Sequence, residues 1–328
     1  MEEVIKINSV DQYNKMYGLE TLHPLVTVVD LSKATVFPTH FTLNYGLYAL
    51  FLKQTKCGDL RYGRQMYDYQ EGTVTSFAPG QVVEVKLNDG VRPMSHGILF
   101  HPDLIRGTSL GQEIKHYSFF SYASNEALHL SDDEKKIFQD CLDKVQQELS
   151  RPIDKHSKRL IARNIELLLD YCMRFYERQF VTRSKVNKDV LMKFEDLLDV
   201  YFQSEQSPNE KLPTVKYFAD KVNLSSNYFG DLIKKETGKT AQEYIQGKII
   251  NIAKERILAS EKTVSEIAYE LGFQYPQHFT RIFKKVVGCT PTEYRVIQVR
   301  QLHRAMKRIS KYTENVFHYG SADCTEKK

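Results

Sequence analysis

Between about Val26 and Phe100 the apolar residues come in short β-branched and aromatic runs: Val26–Leu31, Tyr45–Leu52, Thr73–Phe77, Gln81–Val85 and Gly97–Phe100. Turn signals separate them, among them Cys57-Gly58-Asp59, Glu71-Gly72, Pro79-Gly80 and Asn88-Asp89-Gly90. Such runs read as strands, and several at this spacing favour a small sandwich or barrel. The period then changes. Ser131-Asp132-Asp133-Glu134 has the order of a capping box, and Ile137, Phe138, Cys141, Leu142, Val145 and Leu149 follow at helical spacing. A second helix is predicted from about His156 to Phe180, with Ile161, Ile165, Leu168, Cys172 and Phe175 on one stripe. Joined at Arg151-Pro152, the two form an αα-hairpin. Part of its apolar stripe must cover the β-region, and any surplus is available to a second copy of the chain. The polar stretch 181–187 reads as a linker. A helix from about Lys188 to Gln203 and a Ser/Pro/Asn/Glu-rich loop ending at Leu212-Pro213 follow it.

The last third repeats itself. Thr214-Val215, Ala219, Phe229, Lys234-Lys235, Gly238, Thr240 and Glu243-Tyr244 return as Thr263-Val264, Ala268, Phe279, Lys284-Lys285, Gly288, Thr290 and Glu293-Tyr294. The offset grows by one residue before the phenylalanine, so the second copy carries one insertion. Each copy reads as a helix, a tight turn and a second helix, closed by a lysine pair. Two such units in tandem suggest a reader of duplex DNA.

Charge supports this placement. From Lys211 to Lys311 there are 19 Lys and Arg against 9 Asp and Glu, whereas the first 210 residues hold 25 against 29. The basic surplus therefore sits on the repeat, as binding to a polyanion requires, although a solvated basic face has the same composition. The five cysteines have no CxxC spacing, which argues against a disulfide framework or zinc site and for reduced thiols in cytosol. No apolar run approaches the ~20 residues of a membrane span, and the acidic Met1-Glu2-Glu3 start shows no secretory h-region.

Within the first unit, Thr214 is placed to cap a helix burying Val215, Phe218, Ala219 and Val222. Asn223-Leu224 make the turn and Ser225 caps the next helix, whose inner face is Phe229, Leu232 and Ile233. Its outer face is Asn227, Gly230, Asp231 and Lys234. In the second unit Thr263-Val264-Ser265-Glu266 is a capping box, Gly272 supplies the turn and Pro276 suits the first helical position. There Phe279, Ile282 and Phe283 face inward, while Gln277, His278, Thr280 and Arg281 face out ahead of Lys284 and Lys285. Gln suits bidentate pairing with adenine and Arg with guanine, and a Thr methyl packs on the thymine methyl. Lys234, Lys235, Lys284 and Lys285 suit phosphates, which give affinity without sequence information. Thr240-Ala241-Gln242-Glu243 opens a helix that can run from Ala241 to Ala259. Those residues span roughly 28 Å at ~1.5 Å each, close to the ~34 Å between successive major grooves on one DNA face.

Residues from about Lys188 to Arg300 resemble the AraC/XylS family of bacterial transcription regulators. The most specific part is Ser265-Glu266-Ile267-Ala268-Tyr269-Glu270-Leu271-Gly272-Phe273, continuing through Phe279, Phe283-Lys284, Gly288, Pro291 and Tyr294-Arg295. The resemblance implies an α+β multidomain chain. Its expected parts are a cupin-like β-barrel or sandwich (1–125), a helical hairpin (126–180), a linker (181–187), an all-α double helix-turn-helix domain (188–311) and a disordered tail (312–328). The first would bind a small-molecule effector and the second would dimerise. The third would bind promoter DNA beside RNA polymerase, in the cytoplasm and without an enzymatic role. Family base-contact positions map onto Asn227, Gly230 and Asp231, and onto Gln277, His278, Thr280 and Arg281. Gly230 offers no side chain and Asp231 is an anion. The first helix is therefore expected to read little, with Asp231 accepting from cytosine N4 or repelling wrong sequences. Arg256 stands where the family usually has an apolar residue on the connecting helix, and its stem is expected to snorkel.

Two rival classes remain: a metal-dependent cupin enzyme, and an interaction scaffold without DNA affinity. The enzyme needs a clustered ligand set. His40, His96 and His101 are scattered, and Gln81 follows Pro79-Gly80 where that sort of fold often supplies a histidine. No metal, cofactor or catalytic residue is assigned. For an effector pocket the candidates are Tyr45, Tyr48, Arg64, Tyr67, Tyr69, Phe77 and His96, with Arg64 able to pair a carboxylate or phosphate. An aromatic core with Arg64 at the surface explains the same residues.

Overall fold

The computed structural model describes residues 4–38, 40–54, 58–62, 65–66, 72–87, 92, 94–122, 126–203 and 212–300. By internal contact the chain divides into two units. The first holds the chain through Leu191 together with Ala219–Gly238, and the second holds Met192–Phe218 with the chain from Lys239 onward.

In the first unit ten strands form two five-stranded sheets. They are β1 (Val4–Ile7), β2 (Val26–Asp30), β3 (His40–Tyr45), β4 (Tyr48–Lys53), β5 (Gly58–Tyr62), β6 (Gln65–Met66), β7 (Thr73–Phe77), β8 (Val82–Leu87), β9 (Ser95–Phe100) and β10 (Leu128–His129). One sheet has the order β1-β3-β8-β5-β6 and the other β10-β7-β4-β9-β2. Ile7, Leu43, Tyr45 and Val83 of the first join Val29, Ala49, Phe51, Phe77 and Leu99 of the second in one buried cluster. The alternation of β1, β2, β3, β4, β7, β8 and β9 thus serves a core shared by both sheets. Helix α1 (Val10–Tyr17) adds Val10, Tyr13 and Tyr17 to that cluster, under a capping box at Ser9 and a left-handed Gly18.

The run expected as one strand over Tyr45–Leu52 is two. Its chain turns at Gly46-Leu47, where the Gly46 N–H donates to Ile7 O at 2.8 Å. A Cβ at Gly46 would stand 2.8 Å from Asn8 Oδ1, so the approach of β1 is tied to that glycine. Leu47 is apolar and fully buried although it lies in the turn, so the run reads as unbroken.

Two short helices, α2 (Pro102–Ile105) and α3 (Ser109–Glu113), lead to the hairpin of α4 (Asp132–Leu149) and α5 (Ser157–Thr182). The α4 capping box forms as expected, with the Ser131 side chain accepting from Glu134 N and the Glu134 carboxylate from Ser131 N. Phe138, Cys141, Leu142, Val145, Ile161, Ile165, Leu168, Cys172 and Phe175 are all buried within the chain. The large apolar side chains that α5 leaves exposed are Leu160, Leu167 and Val181.

The stretch 181–187 is helical rather than an extended linker. Arg183 alone breaks it, between α5 and α6 (Ser184–Gln203). It contains neither proline nor glycine, and the buried Asn187 amide donates to Phe180 O at 2.8 Å, satisfying a carbonyl at the end of α5. Next come α7 (Val215–Lys221), α8 (Ser226–Thr237), α9 (Ala241–Ala259), α10 (Val264–Glu270) and α11 (Pro276–Val287). Residues 291–300 form a further helix, α12. The expected tail at 312–328 lies outside the described residues.

Candidate nucleic-acid interface

Both repeat units fold as helix pairs, and the inserted residue falls in the second turn. Between α7 and α8 the chain reverses at Asn223, the one described non-glycine residue with positive φ (58°), and Leu224 N donates to Ala219 O at 2.9 Å. Between α10 and α11 the same bond runs from Phe273 N to Ala268 O at 3.0 Å, and Gly272 takes the left-handed position at φ 86°. Thr214 accepts from Tyr217 N at 3.1 Å to start α7. A full capping box of Thr263 and Glu266 starts α10, and hydrogen bonds from the Thr263 hydroxyl and backbone hold the Glu266 carboxyl below its ordinary range. Each second helix ends on a left-handed glycine, Gly238 or Gly288, whose N–H returns to Lys234 O or Lys284 O at 2.9 Å.

The second pair is organised by aromatic rings. Phe279 and Phe283 are fully buried, with ring centroids 5.7 Å apart. Phe273 lies 5.3 Å from Phe279, and Tyr294 lies 5.6 Å from Phe283. Burying that side of α11 turns the other to solvent. Gln277, His278, Arg281, Lys284 and Lys285 are all exposed. Thr280 is half-buried, and its hydroxyl donates to Pro276 O at 3.0 Å, so it has no free proton to give a base. Pro276 occupies the first turn and Tyr275, 65% exposed, stands at the helix entry without a side-chain cap. Tyr275 was not among the expected contacts; an exposed aromatic beside a proline leaves no periodic signal.

The first reading helix is different. Asn227, Lys234 and Lys235 of α8 are exposed, but Gly230 and Asp231 are only half so. The Asp231 carboxylate accepts from Tyr122 Oη at 2.6 Å. Burial, then the Asp231 charge, raises the Tyr122 phenol well above its ordinary pKa. Tyr228 is buried, with ring centroids 5.2 Å from Tyr122 and 4.9 Å from Phe180. Glu126, itself 1% exposed, accepts from both the backbone N–H and the hydroxyl of Ser225 at 2.6 Å each. Sequence reasoning missed Tyr122 and Glu126, since a carboxylate 99 residues from its partner leaves no local pattern.

The helix α9 runs from Ala241 to Ala259 under a Thr240–Glu243 capping box, as expected. Its Arg256 does more than snorkel. It pairs with Glu270 of α10 at 3.6 Å, where Lys262 also binds the same carboxylate. A cation at this position thus joins two elements in place of an apolar contact.

Among the described residues, the effector-pocket candidates Tyr45, Tyr48, Phe77 and His96 do not converge. Tyr45 and Phe77 stack at 5.1 Å within the shared core, and burial pushes the Tyr45 phenol well above its ordinary pKa. Tyr48 stacks elsewhere, on Phe100 at 5.1 Å and edge-on to Phe120 at 5.1 Å. His96 Nδ1 lies 2.5 Å from Gln139 Oε1 of α4, in a separate 540 Å³ cleft that also takes in Asp30, Asp143 and Leu149. Arg64, Tyr67 and Tyr69 lie outside the described residues. The two other histidines weighed for a metal each have a local partner: His40 faces Glu84 at 3.8 Å, and His101 Nδ1 accepts from Asp103 N at 3.1 Å. Gln81 bonds Ala78 N and Phe120 O, both at 2.8 Å. Among the described residues, no group of three metal-binding side chains occurs. No described helix is long and apolar enough to cross a membrane.

A family model described as a helix-turn-helix domain matches residues 218–297. The Tn10 TetD protein of Escherichia coli is 34% identical over 144 residues, which is 44% of this chain and 91% of TetD. The chain belongs to the AraC/XylS family. It is an AraC-type DNA-binding transcription regulator. YesN of Bacillus subtilis, named as a transcriptional regulatory protein, is 36% identical over 78 residues, or 23% of this chain and 21% of its own length. Among solved structures, the C-terminal domain of a YesN response regulator from Fusobacterium nucleatum is 29% identical. It covers 31% of this chain and 96% of its own, with a TM-score of 0.27. The AraC-type match thus lies over α7 to α12.

Proposed function

We propose that this regulator reads two adjacent major grooves of promoter DNA with α8 and α11, and that α11 carries most of the base discrimination. The observation behind this is the face of α11, where Gln277, His278 and Arg281 stand exposed ahead of Lys284 and Lys285 while Phe279 and Phe283 are buried. Arg281 is assigned to a guanine and Gln277 to an adenine. The four lysines 234, 235, 284 and 285 hold phosphates, and α9 spaces the readers. Asn227 is an exposed polar side chain in the first turn of α8, and Asp231 discriminates only when released from Tyr122. RNA polymerase is the functional partner. The two-sheet region, cupin-like in its strand content, and the α4–α5 hairpin set the response, through an effector or a second copy.

Arg281→Ala is expected to cost about 1–3 kcal/mol of binding and to relax specificity at one base position, measured by titrating single-base variants of a footprinted site. Equal weakening on every variant would instead make Arg281 a phosphate clamp. Removing Lys284 or Lys285 is expected to weaken all sites alike and to lower the salt slope by about one.

A further inference from the structure

We infer that Glu126 is a built-in surrogate for a DNA phosphate, and that Tyr122 and Glu126 compete with DNA for α8. The inference rests on the reading above, that α8 contacts DNA. The start of a helix presents N–H groups and a partial positive charge, which is why helix N-termini contact phosphates in protein–DNA complexes. At the start of α8 that position is filled. The Glu126 carboxylate accepts from the Ser225 N–H and hydroxyl, each at 2.6 Å. Those are the groups and the anion geometry a backbone phosphate would need.

A second contact reaches the edge of the reading face, at Asp231. Ser225, Tyr228 and Asp231 are spaced three apart, so they form one stripe of α8. All three are engaged by one side of the first unit. Ser225 meets Glu126, Tyr228 lies among Tyr122 and Phe180, and Asp231 accepts from Tyr122 at 2.6 Å. Asn187 adds a longer bond to Glu236, at 3.5 Å, in the last turn of the helix. Tyr122 and Glu126 are buried, so these are desolvated, charge-assisted contacts rather than surface encounters. The same arrangement explains Asp231. An anion is a poor neighbour for DNA, but it is the acceptor that a buried tyrosine hydroxyl requires. The Ser225 donors and Asp231 cannot serve DNA while they hold Glu126 and Tyr122, so this occupancy reduces apparent DNA affinity in proportion to the fraction of chains in which they are engaged.

The test uses the full chain, a footprinted promoter fragment, and the variants Tyr122→Phe and Glu126→Gln. Tyr122→Phe removes the hydroxyl that donates to Asp231, and Glu126→Gln removes the charge behind both bonds from Ser225; each leaves the side-chain volume nearly unchanged. DNA affinity is expected to rise by up to about tenfold, the equivalent of one such bond. Wild-type affinity or weaker in both folded variants overturns the inference. Arg281→Ala, run in parallel, separates the two readings: if neither wild type nor any variant binds above nonspecific levels, the DNA-reading assignment fails instead. Should a variant not fold, hydrogen exchange of the wild-type chain decides. Saturating DNA is expected to speed exchange at residues 117–122 and 126–130, and slower or unchanged exchange there overturns the competition.

Discussion

Phe279→Ala is expected to lower the unfolding free energy of the C-terminal unit by about 3–5 kcal/mol, the usual cost of deleting a fully buried phenyl ring. Phe279 is 0% exposed and lies against both Phe273 and Phe283, so its loss opens a cavity at the centre of the α10–α11 pair. The exposed residues of α11 would be chemically untouched. DNA affinity should nevertheless fall with the fraction of helix pairs folded, and recover when temperature is lowered or folding is stabilised by osmolyte. Urea unfolding followed by far-ultraviolet circular dichroism measures the loss, and a change under about 1 kcal/mol would show that the ring is not the keystone of the pair.

The other large effect is expected at Arg178. Its Nε and Nη2 reach the two oxygens of Glu134 at 2.7 and 2.8 Å, and Nη2 also donates to His129 O at 2.6 Å. Glu134 simultaneously accepts from Ser131 N at 2.9 Å, so one carboxylate caps α4 and fastens it to α5. Arg178→Ala leaves that mostly buried carboxylate with the cap alone. A fully buried pair would lose about 3–5 kcal/mol on such a cut. Because the Arg178 side chain is 38% exposed, solvent screening reduces the expected loss to about 2 kcal/mol. Replacing both partners by Met and Leu should recover most of it, since no charge is then stranded. If the double replacement is as unstable as the single one, packing rather than charge accounts for the effect. Thermal unfolding of the three chains distinguishes these outcomes.

What the sequence made legible is what local chemistry decides. Capping boxes at Ser131, Thr240 and Thr263 and the bounds of α9 each depend on residues within one or two turns, and each formed as expected. The exposed face of α11 followed from the same 3.6-residue period. Long-range pairing was not legible. Strand β1 joins its sheet in parallel through only four residues with one buried side chain, too short for any alternation to register. Tyr45 and Phe77 belong to the core because of which sheet faces which, a relation that single-strand patterns do not contain. The polar 181–187 stretch read as a linker; without proline or glycine it is helical apart from Arg183, where α5 gives way to α6. Arg256 and Asp231 looked misplaced for the same reason: their partners, Glu270 and Tyr122, come from other elements.

The connecting helix α9 has no glycine at its end; Ser260 there is extended. A side chain from α12 performs that office, with Arg295 donating through Nε to Ile257 O at 3.0 Å and through Nη2 to Lys262 O at 2.6 Å. The downstream end of α9 is therefore finished only after the second copy has been synthesised. A polypeptide truncated anywhere before Arg295 would leave that last turn frayed.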